Sequence, residues 1–190
     1  MMKFGAVFVY EKLSSKKTMR ITKLLVLFII ALLALGSCRK IEHLSAVPNI
    51  RFNSFTIIDT TDILGNQSKA GKLSFFFEDG DGDVGLKVPS SNQADSTNLF
   101  FWLYRKKNGI MVPATEDDPL YPSDYRIPYM VRLGQNKILR GTITVTFLYL
   151  FYSPGDTIKY DFKIKDRDKN ESNVASTTEI AISINNVYRK

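Results

Sequence analysis

Ile158-Lys159-Tyr160-Asp161-Phe162-Lys163-Ile164-Lys165 alternates apolar and polar side chains without a break. Successive residues of a strand point to opposite faces, so this segment reads as a strand with one buried and one wet face. The same period recurs on either side. Ile143, Val145, Phe147 and Tyr149 alternate with Thr142, Thr144 and Thr146, and Leu73, Phe75 and Phe77 form the inner face of an earlier strand. Ile180, Ile182 and Ile184 alternate with Glu179, Ala181 and Ser183 in the expected last strand. Turn chemistry separates these runs. Asn108-Gly109 tolerates positive φ at both positions and predicts a tight hairpin; Ser153-Pro154-Gly155-Asp156 and Asp166-Arg167-Asp168-Lys169-Asn170 are polar breaks. No sustained helical period follows residue 48; the one helical exception expected is a short turn within 114–126. The fold class expected is all-β, an antiparallel β-sandwich of about seven strands.

Ahead of the sandwich stands a different composition. Lys23 precedes Leu24 through Leu35, twelve apolar residues in a row. A spanning helix needs about 20, so the run has the length of a signal-peptide core, with Arg20 and Lys23 as its basic flank. Gly36, Ser37 and Cys38 follow. Leu35-Gly36-Ser37-Cys38 resembles the lipobox of bacterial lipoproteins, which implies cleavage before Cys38 and lipid attachment to it. An incidental buried cysteine, or ordinary secretory cleavage, are the competing readings. The expected organisation is a signal peptide over 1–37, a lipidated tether over 38–47 and a domain over 48–190. Met19 begins a signal of ordinary proportions, so residues 1–18 read as a misassigned start.

This reading changes the charge. The chain has 26 Lys and Arg against 19 Asp and Glu; removal of 1–37 leaves 20 against 18, a net charge of +2. The basic excess belongs to the leader and gives no support to nucleic-acid binding. Cys38 is the only cysteine, so no disulfide can form within the chain and the core alone must hold the domain. His43, the only histidine, falls in the tether, where solvation is the ordinary reading.

Asp156, Tyr160 and Phe162 resemble the D-x-x-x-Y-x-C pattern of immunoglobulin-like domains, with Tyr160 as the corner tyrosine and Phe162 in the cysteine position. Trp102, the only tryptophan, stands where such domains carry a core tryptophan on the third strand. Asp166 through Asn170 resembles the D-x-x-x-N hairpin of bacterial members. Phe77 through Gly85, Tyr125-Arg126-Ile127-Pro128, Asp166-Arg167 and Ser172-Asn173 together resemble a group of small Bacteroidota lipoproteins. That resemblance implies an immunoglobulin-like domain and residence in the cell envelope, and it carries over no catalytic residue; the outer membrane is the expected location, with the leaflet left open.

The densest chemical feature is Glu78-Asp79-Gly80-Asp81-Gly82-Asp83-Val84-Gly85. Carboxylates at alternate positions, with glycines that let the backbone fold round them, suit a hard cation such as Ca²⁺. The segment is not an EF-hand, because Val84 stands where the loop needs glycine and Ser90 where it needs a bidentate glutamate. In an immunoglobulin-like sandwich the loop after the second strand meets the loop before the last. Asp79, Asp81 and Asp83 are therefore the candidate metal ligands, with Asp166 and Asp168 as partners. Glu116, Asp117 and Asp118 are expected at the same end. The competing reading is that Asp and Gly are simply good turn formers.

Phe100 to Tyr104 and Phe147 to Tyr152 are apolar on both faces. One face must enter the core; the other suits a glycan or protein, unless the proline-rich loop 113–138 folds over it. For catalysis the inventory is poor: the domain has no histidine, no cysteine and no nucleophile or phosphate-loop motif. The expectation is a non-enzymatic, lipid-anchored binding or structural module of the envelope. A carbohydrate-binding accessory of a glycan-uptake system is the first alternative, and a carboxylate-based hydrolase the second.

Overall fold

The computed structural model describes residues 19–29, 43–88, 97–131 and 137–190. The chain divides into two units, Met1–Glu42 and His43–Lys190. In the first, residues 19–29 are helical. Among the described residues no helix is long and apolar enough to cross a membrane. The end of the apolar run, Cys38 and the start of the tether lie outside the described residues.

The second unit is an all-β sandwich of two antiparallel sheets. One has the order β5-β2-β1-β9, from Leu139–Tyr149, Gln67–Asp79, Asn49–Thr61 and Asn186–Arg189. The other has the order β4-β3-β6-β7, from Ile110–Pro113, Leu99–Lys107, Thr157–Ile164 and Ala175–Ser176, with β8 (Ile180–Ala181) also pairing β6. Strands 1, 2 and 5 on one side and 3, 4 and 6 on the other give the immunoglobulin-like arrangement. The expected inner faces are inner: Ile158, Tyr160, Phe162 and Ile164 are fully buried, as are Leu73 and Phe75. Asn108 (φ 51°) and Gly109 (φ 80°) make the hairpin between β3 and β4.

Two strands depart from simple alternation. In β1 the buried set changes from Ile50 and Phe52 to Phe55 and Ile57. A bulge between Phe52 and Ser54 absorbs the extra residue. The expected last strand is broken: Ile180 and Ile182 are buried, whereas Ile184 is exposed and the chain turns there. It then crosses to the opposite sheet, where β9 pairs β1 from Ser54 to Ile57. The part of β1 that β9 does not reach is met by Asn173. Its Oδ1 accepts the Ile50 N–H (2.8 Å) and its Nδ2 donates to the Ile50 carbonyl (2.9 Å), so one carboxamide does the work of a neighbouring peptide.

Aromatic rings fill the space between the sheets. Phe75 of β2 meets Phe162 of β6 at 5.1 Å between centroids, the contact that stands where a sandwich of this kind could carry a disulfide. Phe147 stacks on Tyr160 at 5.3 Å and meets Phe101 edge-on at 5.4 Å. Such offset and edge-on pairs add roughly 0.5–1.5 kcal/mol each to the burial itself.

Tyr160 is not a corner tyrosine. Its hydroxyl donates to the Leu120 carbonyl (3.0 Å), forty residues upstream, and lies 3.1 Å from the Tyr149 hydroxyl. Burial pushes the ionisation of both tyrosines upward. The described part of the 113–138 loop, residues 113–131, is thus a cover, but of the core edge and not of the outer faces. Leu120 and Ile127 are buried, Tyr125 packs on Phe101 and Phe147, and Tyr121 Oη donates to the Phe101 carbonyl.

Trp102 also departs from expectation. It points outward and is 39% exposed, while Phe101 and Leu103 enter the core. The Lys163 ammonium lies over its ring at 5.6 Å. Register with β6 sets this phase, because Phe101 pairs with Phe162 and Leu103 with Tyr160. Phe101→Ala should therefore cost about 3–5 kcal/mol and Trp102→Ala well under about 1 kcal/mol. Urea unfolding of the two variants checks this, and a costlier Trp102 would reverse the assignment of faces.

Candidate metal centre

Inward alternation does not stop where the apolar residues stop. In β2 the inward positions run Leu73, Phe75, Phe77 and then Asp79. In β6 they run Ile158, Tyr160, Phe162 and Ile164, and the next is Asp166. Each strand thus ends its core face on a carboxylate, and the two strands belong to opposite sheets. Asp79 is 0% exposed and Asp166 3%. Glu78 takes the outward position and does not join them.

The intervening loop folds back over Asp79. The N–H groups of Asp83 (2.7 Å) and Val84 (3.2 Å) both donate to Asp79 Oδ2. Close approach requires glycine at two points. A Cβ on Gly80 would lie 2.3 Å from the Leu44 carbonyl oxygen, where the Gly80 N–H donates to the Ser45 carbonyl. Gly85 has φ 97°, and a Cβ there would meet the Pro128 carbonyl oxygen at 2.4 Å. Residues 43–47, expected as tether, are thus already held by the domain.

The second loop is equally built. Asp166 accepts the Asn170 N–H (2.7 Å) and the Asn170 Nδ2–H (2.9 Å), and Lys169 takes φ 71° to close the turn. The Asp168 N–H donates to Asp83 Oδ2 (3.1 Å), which joins the two loops directly. Arg167 turns aside: its Nη1 donates to the Gly85 carbonyl (2.8 Å) and its guanidinium lies over Tyr129 at 5.0 Å.

All five candidate ligands come together. Asp79, Asp83 and Asp166 each offer an oxygen within 4.8 Å of the others, and so do Asp81, Asp83 and Asp168. That limit is about twice a calcium–oxygen distance of roughly 2.4 Å, the widest spacing at which one ion can bridge a pair of oxygens. Asp79 Oδ1 and Asp83 Oδ1 are buried and have no hydrogen-bond partner. Glu116, Asp117 and Asp118 do not join the group. Asp118 faces Arg105, which also binds Asp156 at 2.9 Å, at the far end of β3 and β6. The path of the 113–131 cover carries them there.

Neither a protein-family model, nor a curated protein, nor a solved structure matches this chain.

Two carboxylates about 4.8 Å apart repel by roughly 3–4 kcal/mol at an effective dielectric of about 20. Three such pairs approach the whole stability of an ordinary domain, about 5–15 kcal/mol. A fully ionised, uncompensated trio is thus untenable, and protons or a cation must relieve it. Burial, reinforced by Asp81, raises the Asp79 pKa to about 6. Burial, reinforced by Asp166, Asp81 and Asp79, raises that of Asp83 to about 6. Near neutral pH those protons leave, and the repulsion among the carboxylates is then greatest.

Both folded-state values exceed the ordinary 3.8, so the cation-free fold binds these protons more tightly than the unfolded chain. Their contribution to stability is full below about pH 4 and is lost as pH rises through about 6. In EDTA, Asp79→Asn should gain stability relative to the native chain as pH is raised from 4.5 to 7.5. In Ca²⁺ the same variant should be the less stable protein at pH 7.5. Thermal melts in the two media test this reversal of sign, and an identical ranking in both would remove the argument for a cation.

Proposed function

We propose that this protein is a lipid-anchored module of the bacterial cell envelope, without catalytic activity, whose sandwich is locked at one end by Ca²⁺. The observation that carries the cation is the meeting of Asp79, Asp83 and Asp166, with two buried carboxylate oxygens that no protein donor satisfies. A hard ion accepts such oxygens and cross-links the two sheets through the ends of β2 and β6. Asp81 and Asp168 extend the same pole toward solvent. The anchor rests on the sequence around Cys38, and envelope residence on the resemblance to Bacteroidota lipoproteins.

A second reading has one observation in its favour. Trp102 is exposed on the outer face of β3 with Lys163 over its ring, between half-buried Phe100 and Tyr104. An aromatic shelf with a neighbouring cation is a surface on which a sugar ring can stack, as a carbohydrate-binding accessory requires. The hydrolase reading gains nothing, since the buried carboxylates press on one another and the remaining acidic cluster lies at the far end.

Two measurements test the proposal on the full chain. Mass spectrometry of the membrane-extracted protein should give a mature chain that begins at an acylated Cys38; Cys38→Ala should abolish the acylation. An intact leader or an unmodified cysteine would retire the anchor. Ca²⁺ at a hundredfold excess over its Kd should stabilise the fold by about 2.7 kcal/mol, a Tm rise on the order of 5–10 °C for a domain of this size. An unchanged Tm would retire the cation. A glycan array, with Trp102→Ala as control, tests the second reading.

A further inference from the structure

We infer that Lys69, Asn185 and Asp59 form a self-modification site, in which the Lys69 amine condenses with the Asn185 carboxamide to give an amide cross-link while Asp59 carries the protons. The inference is independent of the calcium reading, because the site lies at the opposite end of β2 from Asp79.

The inner face of β2 starts as it finishes, on a charged side chain. Its inward positions run Lys69, Gly71 and Leu73, and Lys69 is 7% exposed. In β1 the inward positions run Phe55, Ile57 and Asp59, and Asp59 pairs with Lys69 across the ladder. Asn185 arrives from the connection between β8 and β9, where the chain crosses from one sheet to the other. The three side chains close a triangle. Lys69 Nζ donates to Asp59 Oδ1 (2.6 Å) and to Asn185 Oδ1 (2.8 Å), and Asn185 Nδ2 donates to Asp59 Oδ2. An ion pair alone would call only for Asp59. Here one carboxylate touches both the amine that would attack and the amino group that would leave, and the amine rests on the carbonyl between them.

A carbonyl bond is about 1.2 Å long, so Nζ lies within about 4 Å of the Asn185 Cγ. A small turn of the carboxamide brings it to the 3–3.5 Å or so of a near-attack geometry. Nζ gives a proton to Asp59, and its lone pair attacks Cγ. Two protons in all pass from Nζ to Nδ2 by way of Asp59. The Cγ–Nδ2 bond breaks once Nζ–Cγ has formed, and ammonia leaves as ammonium. Asp59 ends as a carboxylate, the charge is unchanged and no oxidant is needed. Asp59 and Asn185 are exposed, so the leaving group has a way out. Taking a proton from an ammonium beside a charged carboxylate makes the step slow. It has to happen only once per molecule, and groups held in contact react as if at about 10⁵–10⁸ M. Cys38 is the only cysteine, so this amide is the covalent tie that disulfide chemistry cannot give the domain. It fastens the crossover ahead of β9 to β2.

Intact mass spectrometry of the full chain, after prolonged incubation at neutral pH, reads the reaction directly. The native chain should weigh one ammonia less than its sequence and acyl group require. A protease digest should then give a branched peptide that joins Lys69 to Asn185. Lys69→Arg keeps a cation against Asp59 but cannot form the amide, and should keep its full mass. Asp59→Ala should keep its full mass too, since the protons have no carrier. A native chain of full mass overturns the inference, whether or not any variant folds. Loss of ammonia without the branched peptide, as when Asn185 cyclises onto its own backbone, overturns it as well. The branched peptide in Asp59→Ala would overturn the proton-carrying role.

Discussion

Charge of one sign, held out of water at distances of a few ångströms, must be neutralised, and the polar end of this sandwich is arranged around that demand. Asp79 is buried because it occupies a core position of β2, and Asp166 because it continues the inward parity of β6 just past the strand's end. Asp83 is brought onto them by the two N–H donors that wrap Asp79 Oδ2. The close contacts of Gly80 and Gly85, the pairing of Asn170 with Asp166 and the sideways course of Arg167 all follow from fitting backbone tightly round these groups. An apolar end would be easier to build. Burial raises the pKa of Asp79 and Asp83, so this part of the fold is sensitive to pH.

The rest of the core needs no such partner. Phe75 against Phe162 and Phe147 against Tyr160 bind the sheets through burial and ring contact. The buried Tyr160 hydroxyl is satisfied by the Leu120 carbonyl and by the Tyr149 hydroxyl. That arrangement also fixes the long connection after β4, whose Leu120 and Ile127 close the side of the sandwich that no strand covers.

Much of the fold was legible because several strands carry an unambiguous phase. Ile158 to Lys165 and Leu73 to Phe77 each have one apolar face, and Asn108-Gly109 leaves little choice of turn. Phe100 to Tyr104 has no phase of its own, being apolar on both faces, so register with β6 decided it and turned Trp102 outward. Strand β1 hides its phase behind a one-residue bulge, and the segment after β6 alternates through Ile184 although the chain has already turned. The five aspartates could be named from spacing and loop position. What separates the inner from the outer ones was present but unread: Asp79 and Asp166 share the parity of Phe77 and Ile164. The displacement of Asp118 to the far end could not be read, since it depends on how a long irregular segment packs.

The hydrogen bond from Gly80 to the Ser45 carbonyl has a mechanical meaning. The chain that precedes the sandwich reaches it beside the acidic loops, just before β1 begins opposite Glu78. Tension that arrives along that chain is felt first at Ser45 and Gly80, and beyond them at a ladder of twelve residue pairs between β1 and β2. The end of the molecule that takes the strain is thus the end where the carboxylates of the two sheets crowd together.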